Sequence, residues 1–91
     1  MKISFTERFQ KDLSSLEKEK AFEALLLCLK LPKALKDVHQ HSGLGLRKIH
    51  SGLYEIRLGL KLRLLFYFGR DEVILDRICN HDEVKKFLKN L

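Results

Sequence analysis

An α+β fold is what the hydrophobic pattern of this chain predicts, and three observations carry the prediction. Apolar residues recur at helical spacing from Phe9 to Leu31, the period drops to two between Leu46 and Cys79, and helical spacing returns after Asp82. The candidate strands of the middle region are joined by connections so short that only antiparallel neighbours fit them. With 91 residues, 45% of them hydrophobic, a single proline and five glycines, the chain is expected to form one domain over 1–91. A domain of that size buries roughly 60–65% of its unfolded surface.

The elements follow in order. Lys2-Ile3-Ser4-Phe5 reads as a short strand. Ser4, with Glu7 three residues on, has capping-box spacing and predicts a helix start there. Phe9, Leu13 and Leu16 then recur at helical spacing, Ser14-Ser15 interrupts, and Phe22, Leu25, Leu26 and Leu29 resume the stripe. The pattern is that of a helical hairpin whose second helix stops before Pro32. Leu27 and Cys28 widen its apolar face, so this helix is expected to be well buried. Lys33 to Gly45 is a polar loop carrying His39 and His41. An antiparallel β-meander comes next, with strands at Leu46–His50, Leu53–Leu58, Leu62–Phe68 and Glu72–Cys79, separated by Gly52, Gly59 and the turn Gly69-Arg70-Asp71. Asn80 as N-cap with Glu83 at N3 opens a short C-terminal helix, which sets Val84, Phe87, Leu88 and Leu91 on one stripe.

Charge and cysteine usage narrow the function. Eighteen Lys and Arg against twelve Asp and Glu give a formal +6, which favours polyanions or an acidic protein partner. Cys28 and Cys79 stand in apolar contexts with no metal or redox spacing, as small core residues of a reducing cytosol do. A His-x-His pair at His39 and His41, even with His50, supplies too few ligands for zinc, so no metal is expected. The first residues lack the apolar run of a signal peptide, and Ala24 to Leu31 is far too short to span a bilayer. A cytoplasmic protein without membrane or small-molecule cofactor is expected.

Strand alternation selects the candidate site. Tyr54, Ile56 and Leu58 share one face of their strand and Glu55 and Arg57 the other, while Arg63, Leu65 and Tyr67 oppose Leu62, Leu64, Phe66 and Phe68. The polar face then gathers Glu55, Arg57 and Arg63, with Lys48 and His50 available from the first meander strand and His81 on the first turn of the last helix. RNA carries its own nucleophile, the 2′-hydroxyl. Cleavage therefore needs a base, cationic donors for the phosphorane-like state and an acid for the 5′-oxygen. His81 suits either proton-transfer role. Arg57 and Arg63 suit a forked phosphate clamp. Glu55 is either a general base or the acidic partner of a neighbouring arginine. Arg47, Lys48, His41, His50 and Lys85 are candidates for attracting RNA phosphates. The bland alternative is a surface histidine after a helix cap, beside ordinary cross-strand ion pairs. Tyr67 is the sole aromatic expected on this face, so base stacking is sparse and autonomous binding of single-stranded RNA is poorly provided for.

The order strand, helical hairpin, meander, short helix resembles that of the RelE/ParE toxin superfamily. The segment Gly52-Leu53-Tyr54-Glu55-Ile56-Arg57-Leu58, followed by Leu62-Arg63-Leu64-Leu65-Phe66, is similar to its Gly-Leu-(Trp/Tyr)-Glu-(Leu/Ile)-Arg signature and following strand. Ile74-Leu75-Asp76 and Asn80-His81-Asp82-Glu83-Val84 are similar to the ending of the mRNA-cleaving members. The resemblance implies a toxin that cleaves mRNA in the ribosomal A site and is neutralised by a cognate antitoxin. It also implies that Arg57 and Arg63 are active-site cations, that His81 occupies a catalytic position held by histidine in the YafQ-like branch and arginine in RelE, and that the loop carrying His41 borders the cleft. Glu55 stands where RelE has a lysine. Two positions depart from the pattern: Lys85 replaces an aromatic expected four residues after His81, and the YafQ-like branch has histidine where this chain has Arg57. The alternatives are a ParE-like gyrase poison, which needs no acid–base residue, and a non-enzymatic basic nucleic-acid-binding module.

Overall fold

The computed structural model describes residues 1–36 and 45–91; His39 and His41 lie outside the described residues. The elements run β1 (Lys2–Phe5), α1 (Glu7–Ser14), α2 (Lys18–Lys36), β2 (Arg47–His50), β3 (Leu53–Leu58), β4 (Leu62–Gly69), β5 (Glu72–Asn80) and α3 (His81–Lys89). β2 to β5 form the antiparallel meander, and β1 joins it parallel to β5, giving one mixed sheet of order β1-β5-β4-β3-β2. The α+β architecture expected from the sequence is the one observed.

Alternation splits the apolar side chains between two packing layers. Ile56, Leu58, Leu64, Phe66, Val73, Leu75 and Ile78 meet Phe9 of α1 and Ala24, Cys28 and Leu31 of α2. Leu53, Leu65 and Cys79 meet Val84 of α3, with Phe87 and Leu88 packed alongside. One irregularity makes this division possible. Leu65 pairs with Arg77 but Phe66 pairs with Leu75, so Asp76 is an extra residue in β5. This β-bulge reverses the inside–outside parity of the strand. Val73 and Leu75 face the hairpin before it, Ile78 after it, and Cys79 is delivered to the opposite face, across from Arg63.

Three local expectations are corrected. Ser4 does not cap a helix: it is held in β1, where its hydroxyl donates to Glu72 Oε2 at 2.8 Å. Thr6 is the N-cap of α1, accepting the Phe9 N–H at 3.0 Å and donating to the Asp76 carbonyl at 2.8 Å. Nor does the second helix stop before Pro32. Pro32 lies inside α2, which runs on to Lys36. The missing N–H forfeits one backbone bond, but the turn around it buries Leu31 and Ala34 completely or nearly so, and tertiary packing outweighs the local penalty. The third correction concerns which face of α2 is buried. Ala24, Cys28, Leu31 and Ala34 face the sheet, whereas Phe22, Leu25, Leu26 and Leu29 are exposed. Small residues let the helix lie close to the strands, so the bulkier stripe points outward.

Other expectations are met. The Asn80–Glu83 capping box is complete, with the Glu83 N–H on Asn80 Oδ1 at 2.8 Å and the Asn80 N–H on Glu83 Oε1 at 3.0 Å. Cys28 and Cys79 are free and buried, and burial pushes both thiols up to about 11. Among the described residues no helix is long and apolar enough to cross a membrane.

Candidate active site

Strand register builds a cationic pair at one end of the sheet. Arg57 of β3 stands directly opposite Arg63 of β4, and two residues along, Glu55 stands opposite Leu65. Like charges at opposed positions destabilise a strand pair. Packing gives no reason for this one, whereas an anion between the two guanidinium groups would. Both arginines, with Gly45, Leu46, Arg47, Glu55 and His81, line a cleft of about 290 Å³.

Each wall has a local cause. Arg63 is half-buried and its Nη1 donates to the Leu62 carbonyl at 3.0 Å, which fixes the guanidinium on the strand. Gly45 sits at φ +69°, and a Cβ there would come to 3.0 Å from Cγ and Cδ of Arg57. That backbone favours glycine, and a side chain at 45 would press on the stem of Arg57. His81 is the exposed first residue of α3, placed beside the arginines by the bulge in β5 and the cap at Asn80. The positive end of the helix adds to the field of the arginines. Cys79, opposite Arg63, is no nucleophile: burial first, and the Glu83 carboxylate second, hold its thiol at about 11 and so neutral at pH 7.

Glu55 is the most constrained group of the cleft. It is 5% exposed. Its Oε1 lies 2.7 Å from Nη2 of Arg47, its register partner on β2. Its Oε2 is buried and has no hydrogen-bond partner among the described residues. A buried carboxylate oxygen without a donor is unfavourable in a resting fold. The pairing also yields a prediction. Arg47→Ala strands the carboxylate and should lower the melting temperature by about 4–8 °C. That is the shift expected for roughly 1 kcal/mol, a value discounted because the Arg47 side chain is mostly in solvent. Adding Glu55→Gln should recover most of the loss in the same circular-dichroism melt; no recovery would mean that Arg47 stabilises by packing alone.

Of the candidate residues, the cleft brings together Glu55, Arg57, Arg63, His81 and Arg47, the last as the partner of Glu55. Lys48 is not on this face: it registers with Tyr54, which belongs to the hairpin side of β3. His50 lies beyond a register irregularity after Lys48, opposite Leu53, and does not line the cleft. Lys85 is exposed on α3, outside the cleft. Gly45 and Leu46 join the site without having been among the candidates, although a glycine closing a loop just before a strand is a usable signal. Among the described residues there is no cluster of three His, Cys, Asp or Glu able to hold a metal.

No protein-family model matches the chain, and no curated protein does. Solved structures do match. The toxin in a RelB–RelE antitoxin–toxin complex from Methanococcus jannaschii aligns at TM-score 0.68 and 19% identity, covering 92% of this chain and 96% of that one. A copper-bound mutant toxin from Helicobacter pylori aligns at TM-score 0.64 and 22% identity, covering 92% and 98%. YafQ from E. coli aligns at TM-score 0.63 and 13% identity, covering 90% and 94%. At such identities the likeness is one of fold.

Proposed function

We propose that this chain, whose fold is that of the RelE-like toxins, is the toxin of a toxin–antitoxin module and an endoribonuclease that cuts mRNA on translating ribosomes. The observation that carries the reading is the opposed pair Arg57 and Arg63 in one cleft with His81 and with Glu55, whose Oε2 has no hydrogen-bond partner among the described residues. Cations for a phosphorane, an acceptor for the 2′-hydroxyl proton and a donor for the leaving oxygen are the parts this cleavage needs.

In the reaction, the Glu55 carboxylate takes the proton of the 2′-hydroxyl as that oxygen attacks the adjacent phosphorus. Arg57 and Arg63 hold the non-bridging oxygens while negative charge accumulates on them. His81, in its imidazolium form, gives a proton to the departing 5′-oxygen. A 2′,3′-cyclic phosphate and a 5′-hydroxyl are left. The nucleophile belongs to the substrate, so no step requires a metal. Lys85, standing where an aromatic is expected in the family, leaves proton transfer to Glu55 and His81. With Lys48 it attracts phosphates from outside the cleft, and His41 and His50 add to the attraction of RNA.

Among the described residues no aromatic side chain lines the cleft, so a free RNA strand finds no stacking platform there. The ribosome supplies the missing orientation by presenting one codon in a fixed geometry. The site of action is accordingly the cytoplasm. The partner that restrains it is a cognate antitoxin, in keeping with the antitoxin–toxin complex among the structures of like fold. A gyrase poison acting through protein contacts has no need of a buried carboxylate and a histidine around two arginines, and the cleft therefore favours cleavage. Brief expression followed by mapping of RNA 5′ ends tests the reading. New ends should fall within translated frames and spare untranslated RNA, whereas DNA breaks at gyrase sites with intact mRNA would replace this reading by the ParE-like one.

A further inference from the structure

The cleft does not end at Arg57. This arginine is exposed and also lines a second groove, of about 230 Å³. Leu26, Leu27 and Lys30 of α2 form one wall of that groove, and Arg57, Leu58 and Gly59, at the end of β3, form the other. Past Leu58 and Gly59 the surface continues into a concavity bordered by Lys20 and Lys61.

The charges along this track are uneven. Arg57, Lys30, Lys20 and Lys61 border it, and Glu23 is the only acid that does so among the described residues. Glu23 is already engaged, its Oε2 lying 3.2 Å from Nζ of Lys20. The same Nζ stands over Gly59, where a Cβ would come to 3.0 Å from it. Further along this side of α2, Glu19 lies beyond one end of the groove and Lys33 beyond the other. These two offset each other and leave the positive excess in place.

We propose that the groove takes the nucleotide on the 5′ side of the scissile phosphate, with its phosphate between Lys30 and Arg57 and its sugar and base along Leu26 and Leu27. The inference rests on the cleavage reading of the cleft. A polynucleotide fits better than an acidic peptide, because Arg57 belongs to both concavities and successive phosphates of one strand can occupy them together. The direction follows from the assigned roles. The nucleotide before the cut carries the 2′-hydroxyl and lies toward Glu55, and the one after it carries the 5′-oxygen and lies toward His81. Glu55 is on β3, as is the groove's second wall, whereas His81 follows β5, which β4 separates from β3. The upstream strand therefore runs off the end of β3 into the groove, and the downstream strand passes α3.

Two short 2′-O-methyl RNAs, which lack the attacking hydroxyl and cannot be cut, read this without cleavage. One is a trinucleotide with a 3′-phosphate and the other a trinucleotide with a 5′-phosphate, so the terminal group of each can enter the arginine clamp. Each is titrated into the ¹⁵N-labelled full chain at low ionic strength. Amide shifts give the affinity and show that every variant is folded. Lys30→Glu should weaken binding of the 3′-phosphorylated RNA about fivefold more than Lys11→Glu, the same charge reversal on exposed α1 surface. On the 5′-phosphorylated RNA the two variants should act alike. The Gly59 amide should shift with the first RNA only. The inference is overturned if Lys30→Glu acts no more strongly than Lys11→Glu on the 3′-phosphorylated RNA, or if its effect falls on the other one. Arg57→Gln separates that failure from failure of the underlying reading, because it should weaken both RNAs. If it weakens neither, the cleft holds no RNA phosphate, and the cleavage reading falls together with the groove. If it weakens both while Lys30→Glu has no special effect, the groove alone is overturned and its cations are left to an acidic protein partner.

Discussion

His81→Ala should slow ribosome-dependent mRNA cleavage by about 10²- to 10⁴-fold, the usual contribution of one positioned acid–base group. Stability should remain within about 0.5 kcal/mol of wild type, because an exposed first-turn residue contributes little packing. The histidine is not the cap of α3. Asn80 and Glu83 close the capping box between themselves, so the helix start does not need the imidazole. Loss of activity without loss of fold thus separates a proton-transferring residue from a surface histidine that follows a cap. Single-turnover cleavage on programmed ribosomes, with a thermal melt of the same preparation, gives both readouts. A folded His81→Ala protein that cuts at the wild-type rate would remove His81 from the reaction.

Arg57→Lys and Arg63→Lys should each reduce cleavage by about 10²-fold although the charge is kept, since removing one properly placed donor to a transition-state oxygen costs roughly 3 kcal/mol. The planar fork can hold two oxygens at once, and an ammonium group cannot. The strand register adds a second expectation that a purely structural role would not produce. Arg57 and Arg63 face each other across β3 and β4, so relieving the repulsion with Arg63→Gln should leave stability unchanged or raise it while cleavage is lost. If the lysine variants cleave normally, the arginines supply field and nothing more. If Arg63→Gln markedly destabilises the chain, the pair is part of the scaffold.

What is legible in the sequence follows from which signals are local. Alternation in Tyr54-Glu55-Ile56-Arg57-Leu58 and Leu62-Arg63-Leu64 depends on a period of two that nothing interrupts, and that period alone sets Glu55, Arg57 and Arg63 on one face. The Asn80–Glu83 spacing likewise fixes the start of α3 and the position of His81. Other features depend on tertiary packing. The apolar residues of α2 encircle much of the helix, and only contact with the sheet shows that Ala24 and Cys28 face inward rather than Phe22 and Leu29. Pro32 resembles a stop because the local rule for proline takes no account of the burial of Leu31 and Ala34 around it. The partner of Glu55 is hidden for a similar reason. Pairing with Arg47 follows from the β2–β3 register, in which Lys48 falls on the other face by simple alternation, and the irregularity between Lys48 and His50 has no clear signature in Arg47-Lys48-Ile49-His50. Asp76, whose insertion brings the end of β5 to the site, leaves a faint trace in the broken alternation of Leu75-Asp76-Arg77-Ile78.

If one metal-free cleft cuts mRNA that the ribosome has oriented, both conditions can be read in a single experiment. The experiment is primer extension on one message, with and without translating ribosomes, with and without EDTA, beside a gyrase cleavage-complex assay. Chelation in the ribosome arms must leave enough magnesium for the subunits to stay joined, so the EDTA arm on naked RNA is the stricter one. Cuts at codons are expected only when ribosomes are present, with no loss of cutting after the protein is treated with EDTA beforehand and no DNA breaks with gyrase. Chelator-sensitive cutting of naked RNA would contradict the proposed reaction, as would gyrase-linked DNA breaks over an intact message.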